Sequence, residues 1–510
     1  MKAFHFDFNT AFFRMDYLKE FIRKLRSYGY DTLLWELEDF VIWKSAPECS
    51  QHDSITKDEL RQLLDFAAEL GFENIPLLQC LGHCEYVLSH PEYAHLADAP
   101  GEWSPYCPSN DRVLEFLEKW ISEYMALFAE SRLFHLGCDE VWRLAEKCPA
   151  CQRRIASGGK GRLMAEHINY LSQIVLNGGK TPVIWADMLL IHPEMAEVLD
   201  KKIVMADWRY ELRSDRKKLW LWDEKGGFLT DEAGITEKMR HNFGKYLYDN
   251  GKLNIHYTTD FLRDKGFAVI CAGASSCFPD NFLLGNAANH IANSCTMMVK
   301  GGENSGYLHT SWTVHCFFYE LQPAIEMVTA SGNYAQVMDD YTQKHFGIEG
   351  KEFFAALDML SPRVLFSGAE STGCGKAIKE PAPGIIRQRL QEFHQAEILG
   401  SGLETTVKAL PQFAAAVEIL KNLQKRICRG EELFSLYLLA AEALLNRAKF
   451  GIMAASEFLN IPHDIDRNEV KAELLDLKEH YYPEYALRQT PEHARRMVNI
   501  LFNTLLEYFN

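Results

Sequence analysis

Long apolar runs and an excess of basic charge are both missing from this chain of 510 residues. No stretch approaches the roughly 18 consecutive apolar residues that a membrane-spanning helix requires. The formal net charge is −16, from 54 basic and 70 acidic side chains, which argues against binding the phosphate backbone of a nucleic acid. Residues 1–14 lack the basic region and the apolar stretch of a signal peptide. We therefore expect a protein whose partners include neither a membrane nor a nucleic acid.

The thirteen cysteines show no regular pairing pattern. An odd number of scattered cysteines without a secretory signal predicts reduced thiols and a cytoplasmic location. One pair, Cys148 and Cys151, is closely spaced, but no second Cys-x-x-Cys accompanies it. We interpret the pair as a turn with two thiols and predict neither a metal nor a cofactor; half of a zinc site is the alternative. Cys107 or Cys138 could complete such a site only through tertiary contact.

Segments with strand-like and helix-like patterns alternate over roughly the first 320 residues. Alternation with crossover-length spacing predicts a parallel sheet, and eight such units predict a closed (β/α)₈ TIM barrel. A dinucleotide-binding fold is disfavoured because G-x-G-x-x-G does not follow the first predicted strand; Asn9-Thr10-Ala11-Phe12 does. The predicted strands are 2–7, 32–38, 74–81, 133–137, 181–188, 202–208, 267–272 and 306–312.

Helical periodicity replaces the strand pattern in the last third of the chain. We predict a barrel domain over 1–325, with an insertion at about 212–257, and a C-terminal α-helical domain over 326–510. Within the barrel, Thr56-Lys57-Asp58-Glu59 predicts a capping box that opens a helix. The predicted C-terminal helices are 385–399, 403–426, 431–458 and 491–509, with the apolar segment 436–449 as bundle core.

Carboxylates and tryptophans follow several of the predicted strands, where a barrel of this kind places its functional groups. A single strand-end carboxylate more often caps the next helix, and a single tryptophan more often lies in the core. Together they point to carbohydrate, because carboxylates accept hydrogen bonds from sugar hydroxyls and indole faces stack on sugar rings. The candidate binding residues are Asp7, Glu38, His83, Glu85, Trp185, Asp187, Trp208 and Trp312.

The sharpest feature is a predicted strand that runs into the adjacent carboxyls of Asp139 and Glu140. Adjacent strand residues face opposite sides, so both carboxyls can reach one pocket only if the strand breaks here, which Gly137 permits. Two carboxyls held close together can take different roles, one of them as a general acid. Predicted strand seven, 267–272, carries no carboxylate that could act as nucleophile. The 2-acetamido oxygen of a sugar substrate is an alternative nucleophile.

The motif His135-x-Gly137-x-Asp139-Glu140 resembles the signature of glycoside hydrolase family 20, the β-N-acetylhexosaminidases, and most of all its hexosaminidase D branch. The resemblance covers residues 1 to about 320 and implies the barrel fold. The supporting segments are His5-Phe6-Asp7, Leu37-Glu38-Asp39, Pro76-Leu77-Leu78-Gln79, Gly82-His83-Cys84-Glu85, Cys148-x-x-Cys151 and Leu308-His309-Thr310-Ser311-Trp312.

This resemblance implies a retaining exo-β-N-acetylhexosaminidase that acts through an oxazolinium intermediate. Glu140 would be the acid and base, and Asp139 would hold the acetamido N–H and stabilise the intermediate. Tyr210 would donate to the acetamido oxygen, with Tyr257 and Tyr307 as competitors. Trp185, Trp208 and Trp312 would wall the sugar subsite.

The chain departs from the family pattern at strand one, where many members carry an arginine that grips the sugar's 3- and 4-hydroxyls. Asp7, Glu38 and His83 would bind these hydroxyls instead. The resemblance to the hexosaminidase D branch favours a terminal β-linked N-acetylgalactosaminide, with an N-acetylglucosaminide as the alternative. A glycan or glycoconjugate is the expected partner, and a homodimer is possible.

Two other functions stay open. A non-catalytic carbohydrate-binding protein on a decayed barrel would lack one catalytic carboxylate, and both are present here. A metal-dependent deacetylase would use His5-x-Asp7 as part of a metal site, but no further histidine follows predicted strands five or six.

Overall fold

The computed structural model describes residues 1–8, 11–101, 103–210, 217–223, 226–274, 287–312, 319–328, 334–366 and 384–510. Asn9 and Thr10, which follow the first predicted strand, lie outside the described residues, as do parts of the predicted insertion. Contacts divide the chain into two compact units. The first holds the described residues within 1–9, 21–274 and 292–311, and the second those within 10–20, 275–291 and 312–510. The predicted domain boundary after residue 325 stays a prediction.

Eight parallel strands close into a barrel in the first unit, which confirms the predicted (β/α)₈ TIM barrel. Around the barrel the order is β1, β2, β3, β4, β5, β6, β11 and β12, and β12 pairs with β1. Their bounds are β1 Lys2–Asp7, β2 Thr32–Glu36, β3 Glu73–Leu77, β4 Leu133–His135, β5 Thr181–Trp185, β6 Val204–Trp208, β11 Ala268–Ala274 and β12 Gly306–Thr310.

Two antiparallel hairpins lie in the connection between β6 and β11. The first consists of β7 Leu219–Asp223 and β8 Gly226–Thr230, and the second of β9 Tyr248–Asp249 and β10 Lys252–Leu253. The sequence predicted an insertion here but not its strands.

Several strands end earlier than their apolar patterns predicted. Glu38, His83, Cys138 and Glu140 have positive φ angles of 41°, 50°, 70° and 51°, a conformation that breaks strand pairing. These four residues follow β2, β3 and β4, so the carboxyl ends of three neighbouring strands turn sharply. Such backbone strain in non-glycine residues is concentrated at functional sites.

Amphipathic helices connect the barrel strands. The capping box at Thr56 is confirmed, since its side chain accepts from the backbone of Glu59 and the Glu59 side chain accepts in return. The helices in this part of the chain are α1 Met15–Ser27, α2 Lys57–Glu69, α3 Glu85–Leu88, α4 Asp111–Leu127, α5 Pro149–Gly158, α6 Lys160–Asn177, α7 Asp187–Ile191, α8 Glu237–Phe243, α9 Tyr257–Asp264 and α10 Ala287–Gly302.

The second unit is mainly helical, which confirms the predicted C-terminal helical region. The predicted core segment 436–449 lies in the long helix α16, where most of its apolar residues are buried. The helices are α11 Pro323–Met327, α12 Tyr334–His345, α13 Gly350–Met359, α14 Ile385–Gln395, α15 Leu399–Gln424, α16 Glu431–Leu459, α17 Arg467–Arg488, α18 Pro491–Val498 and α19 Thr504–Leu506. Within the described residues, none of the helices has the length and apolar character needed to cross a membrane.

Candidate active site

Two glycines allow the loops after β3 and β4 to approach each other closely. A Cβ atom on Gly82 would lie 2.0 Å from the backbone oxygen of Asp139, so only glycine fits without a shift of the backbone. Gly137 has a φ of +65°, and a Cβ atom there would lie 1.9 Å from Oε1 of Gln79. The residues before Asp139 are therefore held directly against the loop that carries His83.

The side chains of Asp139 and Glu140 meet at a common partner, His83. Nε2 of His83 lies 3.2 Å from Oε2 of Glu140 and 3.4 Å from Oδ2 of Asp139. Adjacent residues of a regular strand would point apart, but β4 already ends at His135, and the chain turns through the left-handed conformations of Cys138 and Glu140. Asp139 is buried, whereas the Glu140 side chain is 36% exposed. The carboxyl of Asp139 is thus enclosed, and that of Glu140 is accessible to a ligand.

Burial lowers the pKa of His83, but the neighbouring carboxylates of Asp139 and Glu140 outweigh this effect and raise the pKa well above 6.5. The two carboxylates therefore favour the protonated form of the imidazole. A positive charge between them offsets their mutual repulsion, which would otherwise destabilise so compact an acidic group.

A third carboxylate, Asp187, holds the backbone of Glu140. The residue is the first of helix α7, directly after β5, and it is fully buried. Its Oδ2 accepts a hydrogen bond from the backbone N–H of Glu140 at 2.9 Å, and its Oδ1 accepts from Nε1 of Trp208 at 3.3 Å. Burial and then the charge of Asp139 raise the pKa of Asp187 well above its usual range. Asp187 therefore connects the loop that carries Glu140 to the indole of Trp208 at the end of β6.

Several aromatic side chains lie near Asp187 and the neighbouring strand ends. Trp208 and Tyr210 share one side of the chain, two residues apart, and their rings stack with centroids 5.1 Å apart. Trp222, in the hairpin strand β7, packs edge-on against Trp208 at 4.7 Å. Trp185 at the end of β5 lies against His135 of β4 at 4.5 Å. Trp185, Tyr210 and Trp222 are buried, so among these rings the partly exposed Trp208 is the one that offers a stacking surface next to the carboxylates.

A second group of carboxylates surrounds Glu38. Burial, and then the charges of Glu36 and Asp7, raise the pKa of Glu38 well above its usual range, with smaller contributions from Asp39 and Glu85. Glu36 is itself held by Nε2 of His5 at 2.9 Å and by Nε2 of Gln79 at 2.7 Å. The predicted sugar-binding residues Asp7, Glu38 and Glu85 thus lie close enough to interact electrostatically.

Residues 2–223 match the sequence model of the glycosyl hydrolase family 20 catalytic domain. This part of the chain, less than half of its length, is therefore similar to the family 20 catalytic domain. The resemblance that the sequence motifs indicated is thereby confirmed, and the matched range contains every predicted site residue except Trp312.

The chain is also similar to curated proteins and to a solved structure. The chain is 29% identical over 199 residues to hexosaminidase D of Bos taurus, covering 38% of this chain and 57% of that one. It is also 29% identical over 199 residues to hexosaminidase D of Homo sapiens, covering 38% and 41%. The chain thus spans about half the length of the curated relatives it matches. A solved chitobiase from Flavobacterium johnsoniae shares the fold with a TM-score of 0.50, at 15% identity over 98% of this chain and 78% of that one.

The resemblance offered three tyrosines as the donor to the acetamido oxygen, and the surroundings of the three differ. The hydroxyl of Tyr257 donates to the carbonyl of Trp220 at 3.1 Å, and the hydroxyl of Tyr307 lies 3.0 Å from Nδ1 of His309. Tyr210 is the tyrosine that stacks on Trp208, which is itself bound to Asp187.

Two tryptophans differ in how they stand against the sequence prediction. Trp312 belongs to the second compact unit, so its role at the sugar site stays a prediction. Trp222 was missed as a neighbour of the site, although the alternation Leu219-Trp220-Leu221-Trp222 followed by Gly226-Gly227 is typical of a hairpin strand.

Proposed function

We propose that this protein is a retaining exo-β-N-acetylhexosaminidase that uses the substrate's acetamido group as its nucleophile. The observation that carries the proposal is the contact of one histidine, His83, with both Asp139 and Glu140. The match of residues 2–223 to the family 20 catalytic domain supports the same activity.

In the first step, the protonated form of Glu140 gives its proton to the glycosidic oxygen as the bond from that oxygen to C1 breaks. The acetamido oxygen forms a new bond to C1 and closes an oxazolinium ring. Asp139 accepts a hydrogen bond from the acetamido N–H, and its negative charge stabilises the positive ring. The burial of Asp139 supports this role, because a charge acts more strongly where water is excluded.

In the second step, water attacks C1 from the face that the leaving group vacated. The carboxylate of Glu140 takes a proton from the water while the bond from C1 to the acetamido oxygen breaks. The product keeps the β configuration because two displacements occur at C1. The partial exposure of Glu140 supports a role that requires both a leaving group and water to reach it.

We further propose N-acetylgalactosamine as the preferred terminal sugar. The chain has no arginine at β1, where many family 20 members hold the 3- and 4-hydroxyls, and the group around Glu38 would accept hydrogen bonds from these hydroxyls. Aryl β-N-acetylgalactosaminide and β-N-acetylglucosaminide assayed side by side test this preference. A higher kcat/KM for the glucosaminide would contradict it.

The activity itself is tested with the same aryl glycosides and a thiazoline mimic of the oxazolinium. We expect turnover of an N-acetyl sugar, no turnover of the matching sugar without the acetamido group, and competitive inhibition by the thiazoline. Binding without turnover across the panel would instead favour a non-catalytic sugar-binding protein. Equal turnover of the sugar that lacks the acetamido group would contradict substrate assistance.

A further inference from the structure

Four metal-ligating side chains from two loops of the barrel converge away from the carboxylates of the candidate active site. Asp98 and Cys107 lie in the connection between β3 and α4, and Cys148 and Cys151 lie where the loop after β4 enters α5. One ligand atom from each residue lies within 4.8 Å of all the others. Cys138, the other thiol considered from the sequence, is not part of the group and donates to the carbonyl of Leu136.

The separations within this group match a tetrahedral metal site. Sγ of Cys107 lies 3.6 Å from Sγ of Cys148 and 3.6 Å from Sγ of Cys151. Zinc–thiolate bonds of about 2.3 Å in a tetrahedron place sulfur atoms about 3.8 Å apart. A disulfide, by contrast, requires sulfur atoms about 2.05 Å apart and can join only two of the three thiols.

The carboxylate of Asp98 is an independent sign that this group binds a cation. The residue is buried, and its Oδ2 accepts a hydrogen bond from the backbone of Ala145 at 2.8 Å. Its Oδ1 is also buried, and the group that interacts with this carboxylate from the other loop is the thiol of Cys151. A thiol is a weak hydrogen-bond donor, so a bound cation would satisfy this buried carboxylate better than the thiol does.

The backbone around Cys148 also suits a metal-bound thiolate. Cys148 is the N-cap of α5, and its Sγ accepts the backbone N–H of Cys151 at 3.5 Å. Pro149 follows at the first helical position, where no N–H is required. The positive end of the helix dipole and an N–H donor both stabilise negative charge on sulfur.

We propose that Asp98, Cys107, Cys148 and Cys151 bind one zinc ion at a structural site. Each thiol loses its proton to solvent on binding, and the three thiolates and one carboxylate then complete the tetrahedral coordination. Because all four positions are filled by protein, the ion has no open position for water or substrate. Its role is to clamp the two loops together.

The clamp joins the segments that position the candidate catalytic residues. The backbone N–H of Tyr106, next to Cys107, donates to the carbonyl of Leu81, the residue before Gly82 and His83. On the other loop, Asp98 holds Ala145, five residues after Glu140. Loss of the ion would therefore loosen the loop that carries His83 and the loop that carries Asp139 and Glu140.

Metal analysis of the full chain tests the proposal without relying on any activity. We expect about one zinc per chain after purification or after reconstitution with zinc chloride under reducing conditions. Cobalt in place of zinc should give the visible d–d bands of a tetrahedral site and a thiolate-to-metal charge-transfer band. The proposal would be overturned if zinc-free protein stayed metal-free on reconstitution. It would also be overturned if two of these three cysteines formed a disulfide in protein purified under reducing conditions.

Three variants assign the ligands. Cys148→Ser and Asp98→Asn should lower the bound zinc at least about tenfold after equal dialysis, while the control Cys428→Ser, an exposed thiol, should keep it. Asp98→Cys should retain zinc with an altered cobalt spectrum, which shows that loss in the other variants does not reflect misfolding. Zinc content in Cys148→Ser equal to that of the wild type would contradict the assignment.

Discussion

The backbone N–H of Glu140 donates to Oδ2 of Asp187 at 2.9 Å, and this hydrogen bond joins a residue after β4 to one after β5. Glu140 holds a left-handed φ of 51°, which a non-glycine residue adopts only under constraint from its surroundings. Asp187 supplies that constraint, and its other oxygen binds Trp208. One buried carboxylate therefore contacts both the backbone of Glu140 and the indole of Trp208.

Asp187 is a positioning residue, and two substitutions separate its contacts. Asp187→Ala removes both acceptors and should lower kcat about 100-fold, since small displacements of a catalytic group have effects of this size. Asp187→Asn keeps one acceptor for the N–H of Glu140 and should lower kcat by only about 10-fold. Steady-state kinetics and thermal unfolding are measured together. A fall in Tm with unchanged kcat would mean that Asp187 is only structural.

The pH dependence of stability tests the charge on His83. Its pKa in the folded protein is raised above 6.5 by Asp139 and Glu140, despite the opposing effect of burial. The interaction of protonated His83 with the two carboxylates therefore stabilises the fold fully below pH 6.5. This contribution is lost as the pH rises through the raised pKa of His83.

The matched variant is His83→Gln, which keeps a hydrogen-bond donor without a titratable charge. The difference in unfolding free energy between wild type and His83→Gln should be largest below pH 6.5 and shrink at alkaline pH. Denaturant unfolding over a pH series measures it. A difference that does not change with pH would show that His83 carries no charge in the folded protein.

The close approach of Gly82 to Asp139 predicts a specific sensitivity to an added methyl group. Gly82→Ala places a Cβ atom 2.0 Å from the backbone oxygen of Asp139 and should cost about 1–3 kcal/mol of unfolding free energy. It should also lower kcat, because Asp139 must move. Gly302→Ala is the control, since a Cβ atom there meets nothing within 4 Å. Equal stability of the two variants in urea would contradict the packing described for these loops.

The tyrosine hydroxyl that serves the acetamido group can be identified by three single-atom deletions. Tyr210→Phe keeps the stacking on Trp208 and should lower kcat about 10- to 100-fold, because the hydroxyl that would orient the acetamido oxygen towards C1 is lost. Tyr257→Phe and Tyr307→Phe remove hydroxyls that contact Trp220 and His309 and should act mainly on stability. A larger kcat effect in either of these than in Tyr210→Phe would move the role to that residue.

The sequence predicted the barrel because period-two apolar segments and amphipathic helices alternate along the chain. It could not predict where the strands end near the site, because the left-handed turns at Glu38, His83 and Glu140 depend on tertiary contacts. The Asp-Glu pair was visible as a motif. His83, which contacts this pair, was predicted only as a sugar ligand. The loop after β3 carries His83 next to Asp139 and Glu140 only in the folded protein, so the sequence could not show the contact.

Other features were hidden for similar reasons. Helix α17 was missed because Pro483 interrupts a strongly charged segment, although the helix continues through it. For Cys148 and Cys151, the sequence offered Cys107 as one of two possible partners and missed Asp98. Asp98 lies far earlier in the chain, and only the folded loops bring it next to the three thiols.

The most direct test of the central claim compares Glu140→Gln with wild type on two aryl N-acetyl sugars that differ only in the leaving group. The control is Glu146→Gln, an exposed glutamate on the same loop. We predict that Glu140→Gln lowers kcat/KM at least about 100-fold for the poor leaving group and far less for the activated one, because only the poor one needs a proton. Equal losses on both substrates, or full activity of Glu140→Gln on the poor one, would contradict the role of Glu140 as the acid.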